Sequence, residues 1–133
     1  MAPRREHLHK VTGVAGAAIL RRRILKYGSA DGVYIQATGS TDFLVGVSDD
    51  AGDIPTPTAA TPERVDCIDD GYALVDYGGT ITRGQYVTSD ANGKAIAAAP
   101  ANGVNAYVVG QAQSSGSNGS VGSIKIQPCI IQG

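Results

Sequence analysis

A chain of 133 residues amounts to about one ordinary domain and can bury only a modest core. Six Tyr, one Phe, no Trp and 18 Gly leave too little bulk for a helical bundle, and the abundance of Gly, Ala, Val, Ile and Thr suits short strands with thin packing layers. The net charge of −1 conceals an asymmetry: residues 1–26 hold seven Lys/Arg against one Glu and the remainder holds four against eleven acids, so the basic head can satisfy its own acidic body, bridge to a neighbouring copy, or meet an external polyanion.

In chain order, residues 1–10 are polar and basic, carry Pro3, and show no apolar periodicity that would fold them alone. They predict an arm whose removal leaves the body folded. Residues 11–20, VTGVAGAAIL, are too short to span a bilayer, and the three arginines that follow, with no small-residue cleavage site, argue against a secretion signal. The expectation is a soluble protein with a basic arm over 1–20 and a single β domain over 21–133. Ile19, Leu20, Ile24 and Leu25 fall at helical spacing, but the repeat described below favours a strand over 21–27; residues 14–20 stay open between helix and strand.

Residues 23–47 then read as an alternating apolar run, Asp31-Gly32 at a turn, a second run and Val45-Gly46. The stretch 49–64, DDAGDIPTPTAATPER, has three prolines and no sustained alternation, which predicts a surface loop. Two strands, 65–68 and 72–76, are predicted around a turn at Asp69-Asp70-Gly71, with another turn at Gly78-Gly79. Residues 84–113 repeat the grammar of 23–47: two β-prone runs flank Asn92-Gly93, the dipeptide of a two-residue type I′ hairpin, and a return strand ends in Val109-Gly110. Sliding one copy by 61 residues sets Asp31-Gly32 on Asn92-Gly93, Ile35 on Ile96 and Ala37 on Ala98, with three more residues needed to bring Val45-Gly46 onto Val109-Gly110. Either the domain is two similar β units, or Gly-rich β sequence has produced the match by chance. SSGSNGS at 114–120 predicts a flexible loop, and the last strand, 121–131, carries Ile124, Ile126 and Ile130 on one face, with Pro128 pushing its end to a sheet edge.

The residues that could carry chemistry fall short of a site. Asp49, Asp50 and Asp53 beside Gly52 lack the alternate-residue ligands and closing Glu of a calcium loop. His7 and His9 could share one side of an extended arm but have no further ligands near them, so no metal is expected. Both histidines lie in the arm, which leaves no Ser-His-Asp or Cys-His pair to argue, and the Gly-rich 114–120 lacks the Lys-Ser/Thr and helix of a phosphate loop. Cys67 and Cys129 could pair, or remain two buried thiols as suits a chain with no secretion signal. Lys94, ten residues after Gly84-Gln85 in a hairpin turn, is similar to the modified lysine of lipoyl and biotinyl carrier domains, though without their neighbouring residues. No enzyme activity and no cofactor are expected. The residues most suited to a partner are the basic ones, Arg4, Arg5, Lys10, Arg21, Arg22 and Arg23.

The succession VGVSDD, RVDCIDDGYALVDYGGTITRGQYVTSDANGKAIAAA, VVGQAQSS and GSIKIQP resembles the small capsid cement, or decoration, proteins of tailed bacteriophages. The likeness lies in the Gly-x-Ala-Leu-Val strand at 71–75, the glycine-spaced step from Gly78 to Gln85, the Thr-Ser-Asp-x-x-Gly-Lys-Ala run at 88–95, and a Gly-rich loop before the last strand. It covers residues 43–133, and 1–20 depart from it. It implies an all-β, barrel-like or sandwich protein of short antiparallel strands, made in the host cytoplasm and carried on the outside of the virion. There it would clamp adjoining major capsid protein subunits of an HK97-like shell, as a trimer or dimer at symmetry axes. Many weak contacts repeated over such a shell add up through multivalency. Two other functions stay in play: nucleic-acid binding through the basic arm, against which stands the acidic body without an aromatic basic face, and the carrier domain on Lys94.

Overall fold

The computed structural model describes residues 7–50 and 52–133, with backbone only for residues 7 and 8. Among the described residues every regular element is a strand: β1 (His7–Ala15), β2 (Ile24–Tyr27), β3 (Val33–Gln36), β4 (Leu44–Ser48), β5 (Arg64–Asp76), β6 (Tyr86–Ser89), β7 (Ala95–Ala97), β8 (Asn105–Ala112) and β9 (Val121–Gln132). The fold is all-β, as expected.

β1 runs antiparallel to β5, with Val11 opposite Cys67, and parallel to β3, with Val14 opposite Val33. Since β3 pairs with β2, β2 with β4 and β4 with β5, these five strands close into a barrel. Closure leaves no free edge inside this unit. The chain then repeats the plan. β5 pairs antiparallel with β9, β9 with β8, β8 with β6 and β6 with β7, and the circuit is completed where Tyr77, just past β5, bridges in parallel to Ala95. β5 is therefore the last strand of the first unit and the first strand of the second.

Atomic details recur along with the topology. Gly16 N donates to Tyr34 O at 2.9 Å in the first unit, and Gly78 N donates to Ala95 O at 2.8 Å in the second. A Cβ on Gly46 would lie 2.1 Å from Ile68 O, and one on Gly110 would lie 2.1 Å from Lys125 O. Gly32 and Gly93 both have φ of 75° at the ends of their turns. The 61-residue match thus reflects two units of one architecture.

Several strands lack clean apolar alternation because both their faces are covered. In β2, Leu25 packs in one cluster with Ala15, Ile19, Tyr34, Val65 and Cys67, while its neighbour Ile24 packs in the other. β4 sends Val45 to the first cluster and Leu44 and Val47 to the second, so all five of its residues are buried. Ile24, Val47 and Ile68 from the first barrel meet Val75, Val87, Val109 and Ile124 of the second. Each fully buried side chain of this size contributes about 1.5–3 kcal/mol. Separating the barrels would therefore cost on the order of the whole stability of a small domain.

Four sequence-based expectations change. The arm does not extend to residue 20: His7–Ala15 is a barrel strand, residues 16–20 form no helix, and Ile19 exchanges hydrogen bonds with Ile54 of the proline-rich loop at 3.0 and 2.7 Å. Residues 7–10 pair with 68–71 of β5, so deleting 1–10 would open the barrel rather than leave the body intact. Only residues 1–6 of the predicted arm lie outside the described residues. The Asp69-Asp70-Gly71 turn is instead a bend within the continuous β5, with Gly71 at φ 90°, Asp70 Oδ1 accepting Gly71 N at 2.9 Å, and register shifts in β1 alongside. Strand partners on both sides of the bend keep the chain running forward where local sequence favours reversal.

The stretch at 114–120 is held by reciprocal Ile81–Gly116 backbone bonds of 2.9 Å. The Asn92-Gly93 turn is also not type I′, since Asn92 has no positive φ. It is a three-residue connection with Gly93 N donating to Asp90 O at 3.3 Å, and Asp90 Oδ1 accepting from the amides of Asn92 (2.8 Å) and Lys94 (2.9 Å). Gly93 is needed for its left-handed φ and because a Cβ there would lie 2.6 Å from Gln36 Cγ. Gly93→Val should destabilise the protein by about 1–3 kcal/mol. Gly32→Ala, at the same φ with open space around it, should cost less, and equal losses in thermal melts would remove the packing part of this account.

Candidate interaction site

Among the basic residues singled out from sequence, Arg4 and Arg5 lie outside the described residues. Lys10 Nζ donates to Asp49 Oδ2 at 2.5 Å. Arg22 Nε and Arg23 Nε reach the two oxygens of the Asp76 carboxylate at 2.8 and 3.3 Å, and Arg23 Nη1 donates to Asn92 O at 2.9 Å. Arg22 adopts a left-handed φ of 57°, and its carbonyl accepts Asp76 N at 2.9 Å. Arg21 is exposed, with its amide donating to Asp53 Oδ1 at 2.9 Å. One carboxylate at the end of β5 thus joins two arginines preceding β2, and Arg23 continues to the β6–β7 turn. The cluster works as a clasp across the seam of the barrels. Its side chains retain about a fifth or less of their exposure, so the pairing is stronger than that of a surface ion pair.

The same arrangement accounts for much of the charge asymmetry. Lys26 Nζ lies 3.4 Å from Asp42 Oδ1, and Asp42 also accepts the amide and hydroxyl of Thr38. Burial raises the Asp42 pKa, but the Thr38 bonds and the Lys26 charge outweigh it and hold the carboxyl below its ordinary value. Burial likewise opposes ionisation of Asp49, and Lys10 together with hydrogen bonds from Asp50 more than compensates, again lowering the pKa. Lys10, Arg22, Arg23 and Lys26 are thus directed at this chain's own carboxylates rather than presented as a phosphate-binding stripe.

The other candidates are also engaged locally. Asp49 serves Lys10 and Asp53 caps Arg21 N. His9 Nδ1 lies 2.7 Å from Asp69 Oδ1 on an exposed surface, and the His7 side chain lies outside the described residues. Lys94 follows a turn whose tip is docked on the first barrel, with Asn92 O accepting from Gln36 Nε2 at 2.7 Å as well as from Arg23. A carrier lysine needs a projecting hairpin, and this one is tied down.

Both cysteines are free thiols. Cys67 is buried in the first barrel; burial, followed by the charge of Asp69, pushes its pKa up to about 12. Cys129 is only partly buried. A small thiol-reactive alkylating agent should therefore spare Cys67 in the folded protein and modify both thiols after denaturation. Mass spectrometry reads the result directly, and modification of Cys67 in the folded state would contradict its placement in the core.

A feature that the sequence reading passed over is an exposed apolar patch. Phe43, the only phenylalanine in the chain, is 65% exposed, Tyr27 60% and Ile130 56%. Phe43 meets Tyr107 edge-on at 5.0 Å, and Tyr27 lies 6.1 Å from Tyr34. With Pro128 and Cys129 they line a shallow pocket of about 250 Å³. Ile130 was expected on the same face as Ile124 and Ile126. Those two are buried, but the register shift between Val108 and Gly110 and the extension of β8 and β9 beyond the barrel leave Ile130 uncovered. The available signal was the uncharged run 126–133, IQPCIIQG.

With this geometry established, the fold has a counterpart among solved structures. The N base of the head fiber gp8.5 in bacteriophage phi29 superimposes with a TM-score of 0.64 over 90% of this chain and 93% of that one, at 20% sequence identity. The fold is shared. No protein-family profile and no curated protein sequence matches the chain.

Proposed function

We propose that this chain is a structural protein of a tailed-phage virion: a decoration protein that binds the outer surface of an assembled HK97-like shell and clamps neighbouring major capsid subunits. The observation that carries this reading is the near full-length fold likeness to a phage head-fiber base. The cement-protein resemblance of residues 43–133 supports it independently of that superposition. A double barrel with a buried seam and an Arg22–Asp76–Arg23 clasp is a stiff body, and a stiff body binds several subunits without a large ordering cost. Attachment then comes from surface complementarity repeated over the shell.

The test is co-sedimentation of the full chain with empty, DNA-free shells of its own phage, and separately with duplex DNA, over increasing salt. The expected result is saturable binding to shells that softens modestly with salt, because mixed contacts screen less than a polyphosphate interface. Binding to DNA alone, with a steep salt dependence, would replace this reading with the nucleic-acid one.

A further inference from the structure

We infer that the patch around Phe43, Tyr27 and Ile130 is the surface through which copies of this chain associate with one another, the same patch from each copy meeting at the symmetry axis. This deepens the decoration-protein reading by naming the face that makes the oligomer.

Three observations on the patch point to a second copy as its occupant. First, it holds the three most exposed large apolar side chains among the described residues, adjacent to one another and backed by Tyr107. Large aromatic side chains in such a cluster are the usual anchors of protein interfaces. Second, it is electrically neutral. No side chain lining the pocket is charged, and the Lys26–Asp42 pair, on the residues next to Tyr27 and Phe43, is mutually neutralised. A patch that meets its own image must avoid like charges at the contact, and neutrality satisfies that condition automatically; a docking face for an unlike protein has no such requirement.

Third, β9 beyond Lys125 pairs only with β8 among the described residues, and residues 126–133 contain no charge. Exposed strand edges in monomers are commonly guarded by charged side chains, especially Lys, which this edge lacks. Pro128 removes one backbone donor from it. Open-ended strand addition is thereby discouraged, while side-chain packing of Ile130 and Phe43 across an axis is not, which favours a closed oligomer over a fibre.

The experiment is sedimentation velocity over a concentration series on the full chain and on Phe43→Glu, Ile130→Glu and Tyr86→Glu. Tyr86 is an exposed aromatic on β6 outside the patch. Phe43 and Ile130 are more than half exposed, so both patch variants should stay folded and, at concentrations too low for association, melt as the wild type does. The wild type is expected to associate, each patch variant to weaken association by more than about thirtyfold, as for loss of an interface hot spot, and Tyr86→Glu to behave as wild type.

A wild type that stays monomeric, patch variants that associate normally, or equal disruption by Tyr86→Glu would each overturn the inference. Shell co-sedimentation on the same proteins separates it from the functional reading. Association through the patch without shell binding would remove the capsid role and leave this inference standing. An intact Phe43→Glu oligomer that no longer binds shells would assign the patch to the shell and overturn it.

Discussion

Gly46→Ala and Gly110→Ala are each expected to cost about 3 kcal/mol or more, beyond the usual range for an added methylene, because the obstruction is backbone rather than a movable side chain. At Gly46 the new Cβ would lie 2.1 Å from Ile68 O and 2.9 Å from Cys67 Sγ. At Gly110 it would lie 2.1 Å from Lys125 O and 3.2 Å from Ile126 Cα. Both sites are where the fourth strand of a unit packs tightly against its last strand, so relief requires moving a ladder that also forms the seam between the barrels. Against a typical total stability of about 5–15 kcal/mol, the melting temperature should fall by roughly 10 °C or more. Gly39→Ala, with nothing within 4 Å of the added atom, is the control and should melt within a degree or two of wild type. If Gly46→Ala melted with the control, the close crossing would not exist in solution.

Tyr77→Ala should be comparably damaging, at about 3–5 kcal/mol, the range for deleting a fully buried aromatic. Tyr77 has no exposed surface, and its ring lies in a slot that two glycines make possible: a Cβ on Gly122 would lie 2.0 Å from the ring carbon bearing the hydroxyl, and one on Gly116 would lie 2.9 Å from the ring edge. Its hydroxyl donates to Ser114 O at 2.7 Å, and its amide bonds Ser120 O at 2.8 Å. The residue therefore pins the Gly-Ser-rich segment to the second barrel at both its ends. Tyr77→Phe keeps the ring and loses only the donor, so about 1 kcal/mol is expected. Urea unfolding at constant slope distinguishes the two variants, and a Phe variant as unstable as Ala would place the stabilisation in the hydrogen bond rather than in packing.

The hairpins were legible from sequence because turn chemistry is local. Asp31-Gly32 and Asn92-Gly93 mark reversals wherever they occur between β-prone runs, and both lie at reversals here. The type of the second turn was not legible, since it depends on Asp90 folding back onto two amides and on Gln36 and Arg23 holding the tip from the other barrel. Strand β1 was missed for a related reason: Val11, Gly13 and Ala15 make a weak signal, and the strand exists because β5 and β3 both offer it a partner. The basic residues were recognised as important but their partners were not, as Asp76 lies more than fifty residues from Arg22 and Arg23. The Phe43 patch escaped because its members come from β2, β8, β9 and the turn before β4, and no single segment displays it.

Composition and local pattern by themselves determined that this chain is β, that it reverses at Asp31-Gly32 and Asn92-Gly93, and that its last strand ends uncharged, because those properties follow from residue volume, turn preference and charge along a single stretch. That the two hairpins belong to units of one design was decided by the strand pairings. Only the tertiary structure decided that one thirteen-residue strand serves two barrels, that Asp69-Asp70-Gly71 bends the chain instead of reversing it, and that Lys10, Arg22, Arg23 and Lys26 are spent on this chain's own carboxylates. Those outcomes depend on which distant strands compete for the same backbone groups, and the winning pairs are selected by burial of both faces of β2, β4 and β5 at once.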